Sequence, residues 1–234
     1  MIKRATLLIL LFCLPVLASG ALYELKPAHL AWKKPRMTAS VTYPRVSGMG
    51  AAADKAFNLR SKQWAQQIIA SFEKDARETQ ADASPDIPPA SLTIAYATKH
   101  ASDRLLVVLL TGDEYLGGAH GSPIFEILMT DPKTGGKVTI PELFAPRSAY
   151  LEELSRLAQA QLQPRLEELS SDDQWLAEGT AAKPENFSVL WPGEQGLVVV
   201  FPPYQVAPYA AGPVQVILPY EQLGKLLSDR FFDN

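Results

Sequence analysis

The chain has 234 residues, a formal net charge of −3 and 47% hydrophobic residues. This length accommodates one or two hydrophobic cores, and the composition excludes disordered and fibrous proteins. Lysine and arginine form no dense run, so the sequence carries no electrostatic footprint for nucleic acid or anionic lipid. We therefore expect a globular protein that binds no nucleic acid.

The first 20 residues are typical of a secretory signal peptide. Lys3 and Arg4 precede an apolar stretch over residues 5–14, and small residues follow at 18–20. The apolar stretch is too short to span a bilayer core of about 30 Å, and no later segment is long and apolar enough. We expect cleavage before Ala21, a periplasmic or secreted location, and no integral membrane segment in the mature chain.

Cys13 is the single cysteine and lies inside this signal. It is either a lipid-modified residue or an incidental apolar one. Lipoprotein processing requires a small residue before the cysteine, and Phe12 is large, so a lipoprotein is disfavoured. Once Cys13 is removed, the chain has no disulfide, no thiol nucleophile and no thiolate metal ligand.

The first half of the chain predicts strands around one long amphipathic helix. Residues 37–46 alternate as in a strand. Four apolar side chains then recur near four-residue spacing, which predicts a helix with this stripe in the core. They are Phe57, Trp64, Ile68 and Phe72, within residues 51–79. Prolines within 84–89 end the helix. Two hairpins are predicted next, from residues 92–98 with 104–110 and from 123–130 with 137–140.

The second half alternates helices and strands. Ser148 is expected to cap a helix that continues to Leu162, and Pro164 should divide this helix from a further turn. Strands are predicted at 187–191, 196–201 and 213–218, and a short helix at 220–230.

Strands interrupted by two long helices, without regular βαβ alternation, indicate an α+β domain over residues 21–234. We expect an antiparallel sheet, two long helices and a short C-terminal helix. Residues 36–130 and 131–230 are candidate sub-parts of this domain.

A glycine-rich run at residues 114–121 contains the most conspicuous polar residue, His120. Nearby glycines allow unusual backbone angles and leave the imidazole at a loop surface. His120 is therefore either a ligand contact, metal ligand or base, or a group that fixes the loop by a hydrogen bond. His29 and His100 complete no recognised metal spacing, so we expect neither a metal nor a cofactor.

Three acidic residues lie near this loop. Glycosidic bond hydrolysis needs two carboxyl groups flanking one bond, but Asp113 and Glu114 are adjacent on a strand and point to opposite faces. Glu126, across the loop, is the better partner for His120 or Glu114. The alternative hypothesis is therefore a hydrolase of envelope glycans or esters that uses His120 with Glu114 or Glu126.

Tyr204 and Tyr209 lie in a proline-rich run over residues 201–212. Stiff, amphipathic tyrosines provide contact area for a partner or a sugar ring at low entropic cost. They equally suit the packing of a chain crossover with each hydroxyl bonded to backbone. The sequence leaves both interpretations open.

The order of five motifs resembles a known family. The motifs occupy residues 43–48, the helix with Asn58, and residues 115–121, 134–144 and 204–212. Together they are similar to the paired extracytoplasmic domains of RsiV-type anti-sigma factors, which also lie beside the catalytic domain of PdaC-type peptidoglycan deacetylases. The resemblance covers residues 36–227 and implies a compact α+β fold outside the cytoplasm.

The resemblance also limits the functional hypothesis. The RsiV-type member binds lysozyme, whereas the metal motifs of the deacetylase are missing from this sequence and no catalytic residue carries over. We therefore expect a non-catalytic envelope protein that binds peptidoglycan or a lysozyme-like protein. The candidate ligand-binding residues are Tyr115, His120, Tyr204 and Tyr209.

Overall fold

The computed structural model describes residues 23–81, 84 and 86–232. The expected signal peptide and Cys13 lie outside the described residues, as does Pro85. The strands are β1 Glu24–Lys34, β2 Met37–Ser47, β3 Ala90–Ala101, β4 Leu106–Tyr115, β5 Ser122–Thr130, β6 Lys137–Val138, β7 Leu190–Pro192, β8 Gly196–Phe201 and β9 Val214–Pro219. The α-helices are α1 Ala51–Gln80, α2 Tyr150–Leu162, α3 Leu166–Leu169, α4 Asp173–Gly179 and α5 Tyr220–Leu223.

The first six strands form one sheet in chain order. All neighbours are antiparallel except β2 and β3, which run parallel with Met37 opposite Ala90. The long helix α1 connects these two strands and returns the chain to the edge where β2 began, so β3 must run in the same direction. The antiparallel sheet that the sequence predicts is therefore confirmed with one parallel pair. β1 was not predicted.

Helix α1 covers one face of this sheet. Phe57, Ala65 and Phe72 are buried, whereas the predicted core residues Trp64 and Ile68 are only half-buried at its flank. A straight helix has 3.6 residues per turn, so residues spaced strictly four apart move gradually away from the face that packs on the sheet. The small side chain of Ala65 lets the helix lie close to the sheet.

Two polar side chains on α1 fix its position against β2. The Asn58 amide accepts a hydrogen bond from the Val46 N–H at 2.7 Å and donates to the Val46 carbonyl at 2.9 Å. The buried hydroxyl of Ser61 donates to the Pro44 carbonyl at 2.8 Å. Since Pro44 and Val46 lie inside β2, these bonds set the register between helix and sheet.

The last three strands form a second, antiparallel sheet in the order β7-β8-β9. Its side chains share one core with the first sheet, because Leu109 of β4 and Met129 of β5 pack in the same cluster as Leu154, Phe201 and Val216. Burying each such large side chain contributes about 1.5–3 kcal/mol. The core therefore crosses the boundary at residue 130 between the two candidate sub-parts.

The second half departs from prediction at four places, one of which is α4, a helix that was not predicted. Ser148 does not cap α2, since Ala149 holds the cap position and the buried Ser148 hydroxyl has no hydrogen-bond partner among the described residues. The strand predicted from residue 187 begins at Leu190, after a 3-10 turn over Pro184–Phe187. The C-terminal helix ends at Leu223, where Gly224 takes a φ of 43°. Pro164 does divide the helix as predicted.

Within residues 23–81, 84 and 86–232, no helix is both long and apolar enough to cross a membrane.

Candidate functional site

The glycine-rich run forms the turn between β4 and β5. Gly117 has a φ of 115°, a left-handed angle that side-chain-bearing residues rarely adopt. The Gln80 amide at the end of α1 donates to the Leu116 carbonyl at 3.1 Å. The turn is therefore attached to the helix, and His120 projects from its far side with an exposed side chain.

The proline-rich run forms a tight turn that presents Tyr204. The Gln205 N–H donates to the Pro202 carbonyl at 3.1 Å, and the Tyr204 N–H donates to the Ala207 carbonyl at 3.0 Å. Tyr204 has a φ of 72°, a conformation that costs a non-glycine residue on the order of 1 kcal/mol. Strain of this kind persists only where the surroundings hold it in place.

Two side chains connect this turn to α4 and to the residues that follow α4. The Trp175 indole N–H of α4 donates to the Tyr204 carbonyl at 2.9 Å. The Gln205 amide donates to the carbonyls of Gly179 and Asn186 at 2.8 and 2.9 Å. These bonds restrain the backbone on both sides of the Tyr204 side chain, which remains 54% exposed.

Three rings from the glycine-rich run and the proline-rich run meet at one surface. We call this surface the aromatic cluster; it consists of His120, Tyr204 and Tyr209. The His120 and Tyr209 rings stack with centroids 4.2 Å apart and planes 20° apart. Tyr204 is tilted over both, at 6.2 Å from His120 and 5.6 Å from Tyr209. His120 and Tyr204, which are 84 positions apart in the chain, therefore belong to one contact surface.

The protonation of His120 follows from its hydrogen bonds. Nδ1 lies 2.9 Å from the Gly121 carbonyl oxygen, and since a carbonyl only accepts, Nδ1 carries the proton. In the neutral ring Nε2 is then an acceptor. The Tyr204 hydroxyl, 3.2 Å from Nε2, donates to it. Both ring nitrogens are thus engaged by the protein itself.

Asp113 carries a carboxyl group close to Gly121, the residue that follows His120. Its side chain packs on Gly121, where any Cβ would overlap its carboxyl oxygens. Partial burial raises the pKa of Asp113, and the nearby His120 opposes that rise. The carboxylate therefore adds negative character beside the aromatic cluster and favours a ligand that donates hydrogen bonds.

The hydrolase hypothesis pairs His120 with Glu114 or Glu126, whereas the hydrogen bonds of His120 go to Gly121 and Tyr204. Glu114 follows Asp113 on β4 and lies on the α1 face, where burial, then Asp75 and Asp113, raise its pKa. Glu126 lies four residues along β5 from the position opposite Glu114, a distance of about 13 Å. There Lys137 opposes the rise in the Glu126 pKa that burial causes.

Tyr115 stands apart from the other three candidates. It ends β4 opposite Ser91, and the ring contacts among the described residues do not include it in the aromatic cluster. The sequence reasoning missed Trp175 and Gln205, which position Tyr204. No motif marks Trp175, and Gln205 lies inside the motif at residues 204–212 without any sign of its role, because each acts through a contact distant in sequence.

The described part of the chain holds no group of three or more His, Cys, Asp or Glu residues that could bind a metal ion.

Comparisons with known proteins agree with the motif order. Residues 32–123 match the family model described as deacetylase PdaC, and residues 141–221 match DUF3298, a family of unknown function. The chain is 26% identical over 172 residues to the peptidoglycan-N-acetylmuramic acid deacetylase PdaC of Bacillus subtilis. That alignment covers 74% of this chain but only 36% of the relative, so the chain spans about a third of its length.

Two crystal structures share the fold. A DUF3298 family member from Bacteroides fragilis aligns with a TM-score of 0.64 at 17% identity, covering 89% of this chain and 95% of the other. A DUF3298 family protein from Pseudomonas aeruginosa aligns with a TM-score of 0.63 at 13% identity, covering 92% and 98%. The resemblance and the α+β fold are confirmed: the PdaC family model matches the first part of the chain, and the DUF3298 model matches the second part.

Proposed function

We propose that this protein is a non-catalytic binding module of the cell envelope that recognises cell-wall glycan through the aromatic cluster. The PdaC-type and DUF3298 domains support a cell-wall role. The Bacillus subtilis relative is by name an enzyme acting on peptidoglycan. Since the alignment covers about a third of that enzyme, its deacetylase activity is not part of the proposal.

The observation that carries the proposal is the meeting of His120, Tyr204 and Tyr209 in one exposed group of rings. Aromatic faces bind the apolar C–H face of a sugar ring, and hydroxyls at their edge bind its polar groups. The Trp175 bond holds the strained backbone of Tyr204, and with it the position of the ring, before binding. A preorganised surface of this kind loses little entropy when a ligand binds.

The hydrogen bonds of His120 favour binding over hydrolysis. A histidine base needs a free nitrogen within hydrogen-bond distance of the proton it removes. In this protein Nδ1 donates to the Gly121 carbonyl and Nε2 accepts from Tyr204. The hydrolase alternative would require Tyr204 to leave His120 before a substrate could replace it.

Titration calorimetry of the purified protein against muropeptides and short glycan strands tests this proposal. We expect saturable binding that Tyr204→Ala weakens about 3- to 10-fold, because an aromatic contact of this kind contributes about 0.5–1.5 kcal/mol. Leu59→Ala is the matched control, since Leu59 is also 54% exposed but lies on α1. Absence of binding to any glycan, or equal losses in both variants, would refute the proposal.

Two further arms of this experiment separate the competing hypotheses. Titration with lysozyme asks whether the aromatic cluster instead binds a lysozyme-like protein, as the family resemblance implies. An activity screen against glycan and ester substrates asks whether the protein is a hydrolase. Turnover that is lost in His120→Ala would replace the binding proposal by the enzymatic one.

We also propose that the protein acts outside the cytoplasm, on the basis of the signal-like residues 1–20. Expression in a bacterial host followed by N-terminal sequencing of the exported fraction tests this. We expect the mature chain to begin at Ala21. A full-length chain retained in the cytoplasm would contradict the proposal.

A further inference from the structure

The outer edge of β5 is a second surface, which does not include the rings of the aromatic cluster. We call residues 122–128 of this strand the β5 edge. On one side β5 pairs with β4 along its whole length, but on the other side β6 covers only Met129 and Thr130. Among the described residues no other strand pairs with the β5 edge. An uncovered strand edge is a template for an additional strand.

The pairing pattern shows which backbone groups are free. The Asp131 N–H donates to the Gly136 carbonyl at 3.0 Å across the turn to β6. Hydrogen-bonding direction alternates along an antiparallel strand, so the backbone groups of Phe125 and Ile127 point away from β4. Pro123 occupies the next outward position, where its missing N–H costs no bond within the sheet.

An apolar cleft of about 300 Å³ borders the β5 edge on the face opposite α1. Its walls include Ile140, Tyr150, Leu151 and Phe187. Since successive side chains of a strand point to opposite faces, every second residue of an added strand would face this cleft. An aliphatic side chain matches its lining.

The α1 face of the same edge carries a charged cleft, lined by Arg60, Trp64, Glu126 and Lys137. Arg60 donates to the Gly135 carbonyl at 2.7 Å and to the Thr130 hydroxyl at 2.6 Å, which are both uncharged acceptors. Two basic groups face one carboxylate here, so the cleft has a net positive charge. An acidic side chain on a partner strand would complement it.

The opposite edge of the sheet, formed by β1, carries residues that discourage the addition of a strand. β1 carries Pro27 together with Lys26, Lys33 and Lys34. Lysines and proline on an edge strand discourage pairing with other chains. Residues 122–128 hold no lysine; Pro123 and the charged Glu126 act in this direction, while Phe125 and Ile127 keep their outward backbone groups.

We propose that the β5 edge binds an extended segment of another polypeptide as an added strand. Aliphatic side chains of the segment enter the apolar cleft, and the acidic side chains between them face Arg60 and Lys137. Main-chain bonds to Phe125 and Ile127 supply the pairing. The partner is recognised by this alternation of aliphatic and acidic residues.

A synthetic heptapeptide of alternating valine and glutamate, labelled with a fluorophore, tests the proposal by anisotropy with the purified protein. We expect saturable binding in the micromolar range, and about tenfold weaker binding when lysine replaces glutamate. N-methylation of the amides on one edge of the peptide strand should abolish binding, whereas N-methylation on the other edge should not. No saturable binding, or equal effects of both methylation patterns, would overturn the proposal.

Protein variants locate the peptide on the β5 edge. Ile127→Pro removes one outward N–H and is expected to abolish binding, while Arg60→Gln should weaken it severalfold. Lys133→Gln is the matched control, since Lys133 is an exposed cation in the turn between β5 and β6. The experiments with N-methylated peptides are carried out with the wild-type protein. Their result therefore remains valid even if a protein variant folds poorly. A dimer in light scattering that Ile127→Pro dissociates would assign the edge to a second copy and overturn the proposal.

Discussion

Replacing Gly135 by alanine should destabilise the protein, and replacing its neighbour Gly136 should not. Gly135 lies in the turn between β5 and β6 with a φ of 69°, in the left-handed region. A Cβ at this position would lie 2.7 Å from the Ala53 Cα and 2.9 Å from its carbonyl carbon. These atoms are backbone of α1, so no side-chain rotation relieves the overlap.

The expected loss follows from two contributions. The left-handed conformation costs a non-glycine residue about 1–2 kcal/mol, and overpacking in a close contact costs about 1–3 kcal/mol. Alanine regains about 0.4–1 kcal/mol by restricting the unfolded chain. We therefore expect Gly135→Ala to lower the free energy of unfolding by about 3 kcal/mol. In a domain of this size, that corresponds to a fall in Tm of roughly 6–12 °C.

Urea unfolding followed by circular dichroism measures this loss, and Gly136→Ala is the matched control. The Cβ of the control would meet only the Thr134 hydroxyl, at 3.1 Å, and that side chain can rotate. We expect the control to change the free energy of unfolding by less than about 1 kcal/mol. Equal losses in both variants, or a neutral Gly135→Ala, would refute the steric argument.

Three further predictions concern polar groups. Ser148→Ala removes a buried hydroxyl without a partner among the described residues, so unfolding measurements should show no loss and a gain of up to about 1 kcal/mol. The hydrogen bond from the Thr139 N–H lowers the pKa of Glu142. This bond stabilises the folded protein at any pH above the ordinary pKa of a glutamate, and the stabilisation is lost as the pH falls through the lowered pKa of Glu142. Glu142→Gln should therefore destabilise at pH 7 and match wild type in acid. Burial and Asp75 raise the pKa of Glu114, so Glu114→Gln should stabilise at neutral pH and lose that advantage below pH 4.5, the ordinary value. A stability difference independent of pH would contradict either argument.

The long helix shows how far periodicity carries a prediction. Its bounds were predicted to within one residue, because apolar side chains recur over about four turns from Phe57 to Phe72 and prolines follow. The prediction of which face of the helix is buried was less accurate, since Ser61 and Ala65 lie on the buried face while Trp64 lies at its flank. Small and polar residues that let a helix approach a sheet give no hydrophobic signal.

The sheet was harder to predict than the helix. β1 is an edge strand with mostly exposed side chains, so it lacks the apolar alternation by which a strand is identified. The parallel pairing of β2 with β3 depends on how α1 crosses the sheet, which no local pattern contains. Local sequence therefore predicted the elements better than their arrangement.

The candidate site divides in the same way. Flanking glycines pointed to His120 and a proline-rich run pointed to Tyr204 and Tyr209, and the structure brings these three together. The positioning roles of Trp175 and Gln205 gave no signal, because long-range hydrogen bonds leave no periodic trace in the sequence. The rings of the candidate site were thus easier to identify than the residues that position Tyr204.

The β4–β5 hairpin connects both proposed binding surfaces. Its turn carries His120, and its second strand begins at Ser122 and presents the β5 edge from there onward. The hairpin is fixed on one face by α1 and on the other by the shared core. Because the packing of both faces is set before any ligand arrives, the two surfaces have a constant separation. The two proposals together therefore predict that a glycan and an extended peptide bind to one hairpin at a fixed separation.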